Sequence, residues 1–254
     1  SCGATELAFV GVGTERVEDE LAEHFPKARV ARLDRDSTAQ KGALGDILRR
    51  MAANEIDILV GTSLVTKGHD FKNVTLVGVL DADYALTLPD FRASERAHQQ
   101  FVQVAGRAGR ADKPGEVMIQ TRMSEHPVFT TLDDPEAFFK SELAARRDLY
   151  PPYRRLALVR IESEDFEESL ARASRCAQGL TELAAKAQGA EIQVLGPAAP
   201  LVPQVRGKWR QHILLRAKEA RPLHDLLHTA RRLGLTGDGK SATTRIDIDP
   251  LRTI

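Results

Sequence analysis

Cysteine is nearly absent from this chain of 254 residues: only Cys2 and Cys176 occur. Two thiols so far apart build no disulfide framework, and they cannot close a zinc site, which takes four ligands. A reducing cytoplasm suits such a chain. No run of about 18 apolar residues exists, so nothing is expected to span a membrane. The N-terminus lacks a basic segment followed by an apolar core and cleavage site, which gives no support for secretion. Charge of one sign is not in excess either, because 36 basic residues balance 36 acidic ones. A surface for a polyanion must therefore be local. Internal repeats and low-complexity tracts are missing as well. What is present is a chain with 42% hydrophobic residues, the composition of a soluble globular protein with one large or two small domains.

From residue 6 to about 122, short apolar runs alternate with longer amphipathic stretches. The pattern predicts strands at Leu7–Val12, Ala28–Arg32, Ile56–Gly61, Thr75–Leu80 and Glu116–Gln120, and helices near Thr14–His24, Lys41–Asn54 and Ala93–Ala105. Thr14 is expected to cap the first helix, with Glu15, Glu18 and Asp19 near its positive end. Strands alternating with helices predict an α/β fold with a mostly parallel, doubly wound sheet, which binds ligands beyond the carboxyl ends of its strands. A helix at Pro135–Asp148 then leads to the stiff break Tyr150-Pro151-Pro152-Tyr153, taken as the boundary between domains 1–149 and 150–254. Beyond it the order is strand Leu156–Ile161, helix Phe166–Ala187, strand Ile192–Leu195, strand Trp209–Arg216, helix Arg221–Leu233 and strand Arg245–Asp249. This βαββαβ order predicts a small α+β open-faced sandwich, with two helices on one face of a sheet.

The most informative segment is Gln103-Val104-Ala105-Gly106-Arg107-Ala108-Gly109-Arg110. On a helix, Gln103, Arg107 and Arg110 fall along one stripe, because side chains three and four residues apart are neighbours. The small residues between them leave the stripe open to close approach. Two guanidiniums with no carboxylate in the motif suit a phosphate. A companion segment runs from Ile58 to Phe71. Its apolar strand ends at Gly61-Thr62, where hydroxyls and backbone N–H groups become available to an anion. Lys67-Gly68 then permits a tight turn with close backbone approach, and Asp70 offers a carboxylate to sugar hydroxyls. Asp81 and Asp83 follow a strand in the manner of a metal pair, but no third ligand stands nearby, and contacts within the protein explain them better.

A second candidate surface lies near the C-terminus. No acidic residue occurs from Ile192 to Lys218, whereas Arg206, Lys208, Arg210, Arg216 and Lys218 all do, and Trp209 is the one tryptophan. In an alternating strand Lys208 and Arg210 face one side and Trp209 the other. Trp209 could equally plug the small core, with the basic residues guarding a sheet edge against stray pairing.

Several of these segments also carry a family resemblance. Gly61–Phe71 and Gln103–Arg110 resemble motifs V and VI of superfamily 2 helicases. The stretches from Gly13 to Leu21, Arg32 to Asp36, Lys67 to Phe71, Asp90 to Arg96 and Gly115 to Thr121 resemble the PriA (primosomal protein N′) family of replication-restart helicases. Leu195-Gly196-Pro197, Gly207-Lys208-Trp209-Arg210 and Ile248-Asp249-Pro250 extend the likeness to nearly the whole chain. The resemblance implies the second, RecA-like helicase lobe followed by the family's C-terminal domain. No G-x-x-x-x-G-K-[ST] phosphate loop and no Asp-Glu-x-His box occur in these residues. The chain is therefore expected to hydrolyse no ATP alone.

By that resemblance Arg110, with Arg107 beside it, is the arginine finger toward the γ-phosphate. Gln103 and Gly106 complete that edge of the ATP site, and Gly68 and Asp70 line the nucleotide's sugar side. Thr62 and Lys67 would touch the tracking DNA strand, as would Arg206 and Arg210. Lys208, Trp209 and His212 would receive the acidic C-terminal tail of single-stranded DNA-binding protein (SSB). His212 replaces the family's usual glutamine. ATP and Mg²⁺ are the implied cofactors, both dependent on a first lobe. Zn²⁺ is implied for the parent protein only, where Cys2 would be one ligand completed upstream; a stray terminal cysteine accounts for Cys2 equally well. Implied partners are branched and single-stranded DNA, SSB, and primosome and helicase-loading proteins. The competing expectation is a non-catalytic adaptor that binds forked DNA and SSB.

Overall fold

In the computed structural model, residues 13–34, 36–38, 42–62, 65, 73–106, 115–187, 189–237 and 242–253 are described. They form two compact units. The first comprises residues 1–87 and 94–135, and the second comprises residues 88–93 and 136–254. Among the described residues no helix is long and apolar enough to cross a membrane.

In the first unit, α1 (Thr14–His24) leads to β1 (Val30–Leu33), α2 (Ala43–Ala52) and β2 (Ile58–Gly61). After β2 come β3 (Leu76–Val79), a 3-10 turn (Ala82–Leu86), α3 (Ala93–Ala105), β4 (Glu116–Ile119) and the short α4 (Pro127–Thr130). β1 pairs with β2, and β3 with β4, both in parallel as the alternating pattern predicts. The strand expected at Leu7–Val12 lies outside the described residues. Thr14 does not cap α1: the cap is Gly13. Thr14 is already helical, and its hydroxyl donates to Asp34 Oδ2 at 2.6 Å, which ties the start of α1 to the end of β1. The Ser37 backbone N–H, followed by that Thr14 hydroxyl, holds the Asp34 carboxyl down at about 2.

The carboxyl ends of β1 and β2 come unusually close. A Cβ on Gly61 would lie 2.4 Å from the carbonyl oxygen of Leu33, well inside contact distance, so glycine is required there. The strand at the mouth of the candidate anion loop is thus held against β1 by close backbone packing. α3 buries Ala97, Phe101 and Val104, a stripe at helical spacing. Phe101 stacks on Phe129 with centroids 5.5 Å apart, which fixes the rotation of the helix.

The second unit contains α5 (Pro135–Arg146), β5 (Arg155–Ser163), α6 (Phe166–Lys186), β6 (Ile192–Ala198), β7 (Gln204–Val205), β8 (Lys208–Ala217), α7 (Ala220–Arg232) and β9 (Ala242–Ile248). The sheet order is β6-β8-β5-β9, all antiparallel, with β7 paired to the start of β8. Odd-numbered positions of β5 and β8 (Ala157, Val159, Ile161, Ile213, Leu215 and Ala217) pack with Ala173, Leu180, Leu223 and Leu227 of α6 and α7 into one core. Asp165 starts α6 by accepting from the Glu168 backbone N–H at 2.6 Å, so the helix begins where the strand's alternation ends.

One expectation changes here. β8 lies inside the sheet, between β5 and β6, so its basic residues cannot be edge guards. The second compact unit takes in α5 and residues 88–93 along with the residues from Tyr150 onward. Within it Phe91 stacks on Tyr150 at 5.3 Å and 11°, with the Arg146 guanidinium 5.4 Å from the centre of the Phe91 ring.

Candidate functional site

The first unit contributes two loop mouths. Thr62 follows β2 directly and is exposed, with its carbonyl accepting from Val65 N–H at 3.0 Å. A hydroxyl and a freshly ended strand therefore stand in solvent where a parallel layer presents its carboxyl ends. Gln103 sits near the end of α3 and is exposed, on the side opposite buried Phe101 and Val104. Gly106 N–H closes the last turn onto Val102 O at 3.0 Å. The expected partners Arg107, Arg110, Lys67, Gly68 and Asp70, and also Cys2, lie outside the described residues.

Asp81 and Asp83 are structural. Asp83 accepts from the Thr121 hydroxyl and from Arg122 N–H at 2.8 Å, and these bonds, Thr121 first, lower its pKa. Asp81 adopts φ 49° and donates its N–H to Gln120 Oε1 at 3.2 Å. Together they fasten the ends of β3 and β4. No group of three potential metal ligands occurs among the described residues.

The second unit presents the basic surface. β7 and β8 form a hairpin through Arg206 and Gly207, whose φ values of 52° and 79° are both positive, as a type I′ turn requires. Arg206 is exposed at the tip. Even-numbered Lys208, Arg210 and His212 share the sheet face away from α6 and α7. Trp209 takes the other face and meets Phe166 edge-on at 5.2 Å and 73°. Of the three residues expected to receive an acidic tail, Lys208 and His212 thus share one sheet face, with Arg210 between them, and Trp209 takes the other. Arg210 is partly committed: its Nη2 donates to Val202 O at 2.5 Å.

His212 is 7% exposed, and its Nε2 has no hydrogen-bond partner among the described residues. Burial, reinforced by the nearby Arg160 charge, pushes its pKa down to about 4. The imidazole is neutral at pH 7 and offers either a donor or an acceptor, but no charge. Sequence reasoning missed Arg160 and Arg245, which the strand register brings into line with His212. A charged residue at position 160, inside the apolar run from Leu156 to Ile161, was the available signal.

The match to known families follows the division of the chain. Residues 8–112 match the helicase conserved C-terminal domain, which implies a RecA-like α/β lobe, and residues 147–251 match the primosomal protein N C-terminal domain. The chain thus joins a helicase C-terminal lobe to a primosomal C-terminal domain. The replication restart protein PriA of Bacillus subtilis (strain 168) is 40% identical over 258 residues, covering 98% of this chain and 31% of that protein. PriA of Haemophilus influenzae is 38% identical, covering 98% of this chain and 34% of its own length. PriA of Rickettsia conorii is 36% identical over 96% of this chain and 37% of its own. Nearly the whole chain is thus similar to replication restart proteins named PriA, and it spans about a third of the length of these relatives. Among solved structures, a de novo designed protein, Foldit4, aligns with 39% of the chain at 15% identity and a TM-score of 0.27, too slight a likeness to bear on the fold.

Proposed function

We propose that this chain is the ATP-coupling second lobe and C-terminal domain of an ATP-dependent 3′-to-5′ DNA helicase that recognises stalled or branched forks and restarts replication by primosome assembly. The observation that carries the reading is the pairing of a helicase C-terminal match with a primosomal C-terminal match in one chain. Thr62 and Gln103, exposed at the ends of β2 and α3, support it, since both lie where an anionic ligand can approach.

In this reading Arg107 and Arg110 reach the γ-phosphate of ATP bound by another lobe. ATP, with its Mg²⁺, supplies the phosphoryl group and the metal that clamps it. This chain's own part is to bring positive charge to the developing negative charge, with Gln103 and Gly106 shaping that edge and Gly68 and Asp70 receiving the sugar. Thr62 and Lys67 hold the phosphate backbone of the DNA strand, a contact that carries no sequence information. The protein therefore loads by DNA structure. It works in the cytoplasm with SSB and helicase-loading proteins, and any zinc belongs to segments completed outside this chain.

The isolated chain is expected to turn over no ATP above buffer, with or without forked DNA. Turnover that follows the chain through purification would refute the two-lobe reading. On the second unit, Lys208 has no ion-pair partner among the described residues and shares a sheet face with neutral His212. Lys208→Ala is expected to weaken binding of an acidic peptide ending in a free carboxylate by about tenfold, the worth of one charge-assisted contact. Fluorescence titration at fixed salt tests this, and an unchanged affinity rejects the site.

A further inference from the structure

Strand register makes an unfavourable arrangement on the sheet face away from the helices. Arg160 of β5 stands directly opposite Arg245 of β9 on one side and opposite His212 of β8 on the other. Adjacent strands lie about 4.8 Å apart, so two guanidiniums and a neutral imidazole occupy one row across three strands. Like charges directly opposite each other destabilise a ladder. Relief from carboxylates is slight. Asp247 Oδ2 reaches Arg160 Nη2 only at 4.0 Å, with both side chains partly in solvent. Arg245 forms no ion pair among the described residues.

The groups beside this row are only partly satisfied: His212 is hydrogen-bonded to the backbone of Thr253 and Arg210 Nη2 donates to Val202 O, but one atom of each is left over. His212 Nε2 is buried without a hydrogen bond, and so are Arg210 Nε and Thr243 Oγ1 in the next row. Buried polar atoms are normally satisfied, and of these Arg210 Nε, which can only donate, is the one that calls for an acceptor. Glu162 stands between Arg210 and Thr243, and its carboxylate turns an anion away from that second row. The Arg160–Arg245 row remains as the place where an oxyanion relieves repulsion.

We propose that Arg160 and Arg245, with His212 beside them, form a phosphate-binding row for the backbone of a nucleic-acid strand. This rests on the nucleic-acid reading given above. A phosphodiester carries two non-bridging oxygens, one for each guanidinium, and arginine is the residue best suited to such pairing. The site holds a phosphate by charge and reads no base.

The row makes a two-signed prediction that a structural role does not share. The whole chain and its Arg160→Gln and Arg245→Gln variants are titrated with a fluorescein-labelled oligothymidylate across a range of NaCl concentrations, and each free protein is melted. Each variant is expected to lose about 0.7 from the slope of log affinity against log salt, the share of one single-strand phosphate. Arg245→Gln is expected to raise the melting midpoint of the free chain, because one of two facing cations is gone. An unchanged slope for both variants, or a lowered midpoint for Arg245→Gln, overturns the proposal. Failure of the unaltered chain to bind oligothymidylate even at low salt defeats the nucleic-acid reading itself, and the row with it. Binding with unchanged slopes defeats the row alone. Intact oligothymidylate slopes with weakened binding of an acidic peptide mark the row as a carboxylate site and likewise overturn it.

Discussion

Arg110→Ala in the full-length enzyme is expected to lower DNA-stimulated ATP turnover by about 10³–10⁵-fold, the range measured for removal or supply of an arginine finger. Transferring a phosphoryl group spreads negative charge over the equatorial oxygens and the leaving bridge. A guanidinium that arrives from a second lobe stabilises that charge only when the lobes close, so the residue acts on turnover and scarcely on nucleotide affinity. Gln103, exposed near the end of α3, is a described residue of the motif; Arg107 and Arg110 lie outside the described residues. Single-turnover ATPase with a forked duplex, alongside fork binding by anisotropy, separates the two effects. Fork affinity should hold within a few-fold while turnover collapses. Retained turnover would remove the finger from Arg110, and equal loss of binding would mark the residue as structural.

The second large effect concerns acid. His212 is neutral in the folded chain, with its pKa pushed down to about 4 by burial and by Arg160, whereas in an unfolded chain it titrates near 6.5. Between those two values the unfolded state binds the extra proton, so folding stability is complete at neutral pH and falls as pH drops from about 6.5 to about 4. The full difference amounts to roughly 3 kcal/mol at the acid end of that window. His212→Gln removes the titrating group and restores the amide usual in the resembling family. Urea denaturation of the variant should lose that component of the pH dependence. A variant whose stability declines through this window as steeply as the parent's would assign the acid sensitivity to other groups.

Much of this architecture is readable along the chain, for physical reasons that also explain the misses. β5 and β8 alternate or run apolar over nine and ten residues, and α6 carries its buried positions at helical spacing, so periodicity alone locates them within a residue or two. Thr14 at the start of α1 has the side chain of a cap, yet a hydroxyl takes its best partner in space, and Asp34 is invisible to a local window. The stacking of Phe91 on Tyr150 joins distant segments, and no local window shows it. The two-residue strand β7 is too short for periodicity to mark. For the candidate sites, the motif residues around Gln103 and Thr62 could be named from spacing and Lys208 from the acid-free run, whereas His212 follows only from the family resemblance. The facing of Arg160 and Arg245 could not, because register between strands is fixed by the whole sheet.

The excursion of residues 88–93 into the second unit has a practical consequence. Phe91 lies against Tyr150, and Asp90 accepts from the N–H of Thr253, nearly at the chain's last residue, at 3.1 Å. A gene fragment cut at residue 147, where the C-terminal family match begins, would express a domain stripped of an aromatic wedge and a clasp for its own tail. Anyone wishing to study that domain by itself should graft the hexapeptide back or begin the expression clone upstream of Leu88.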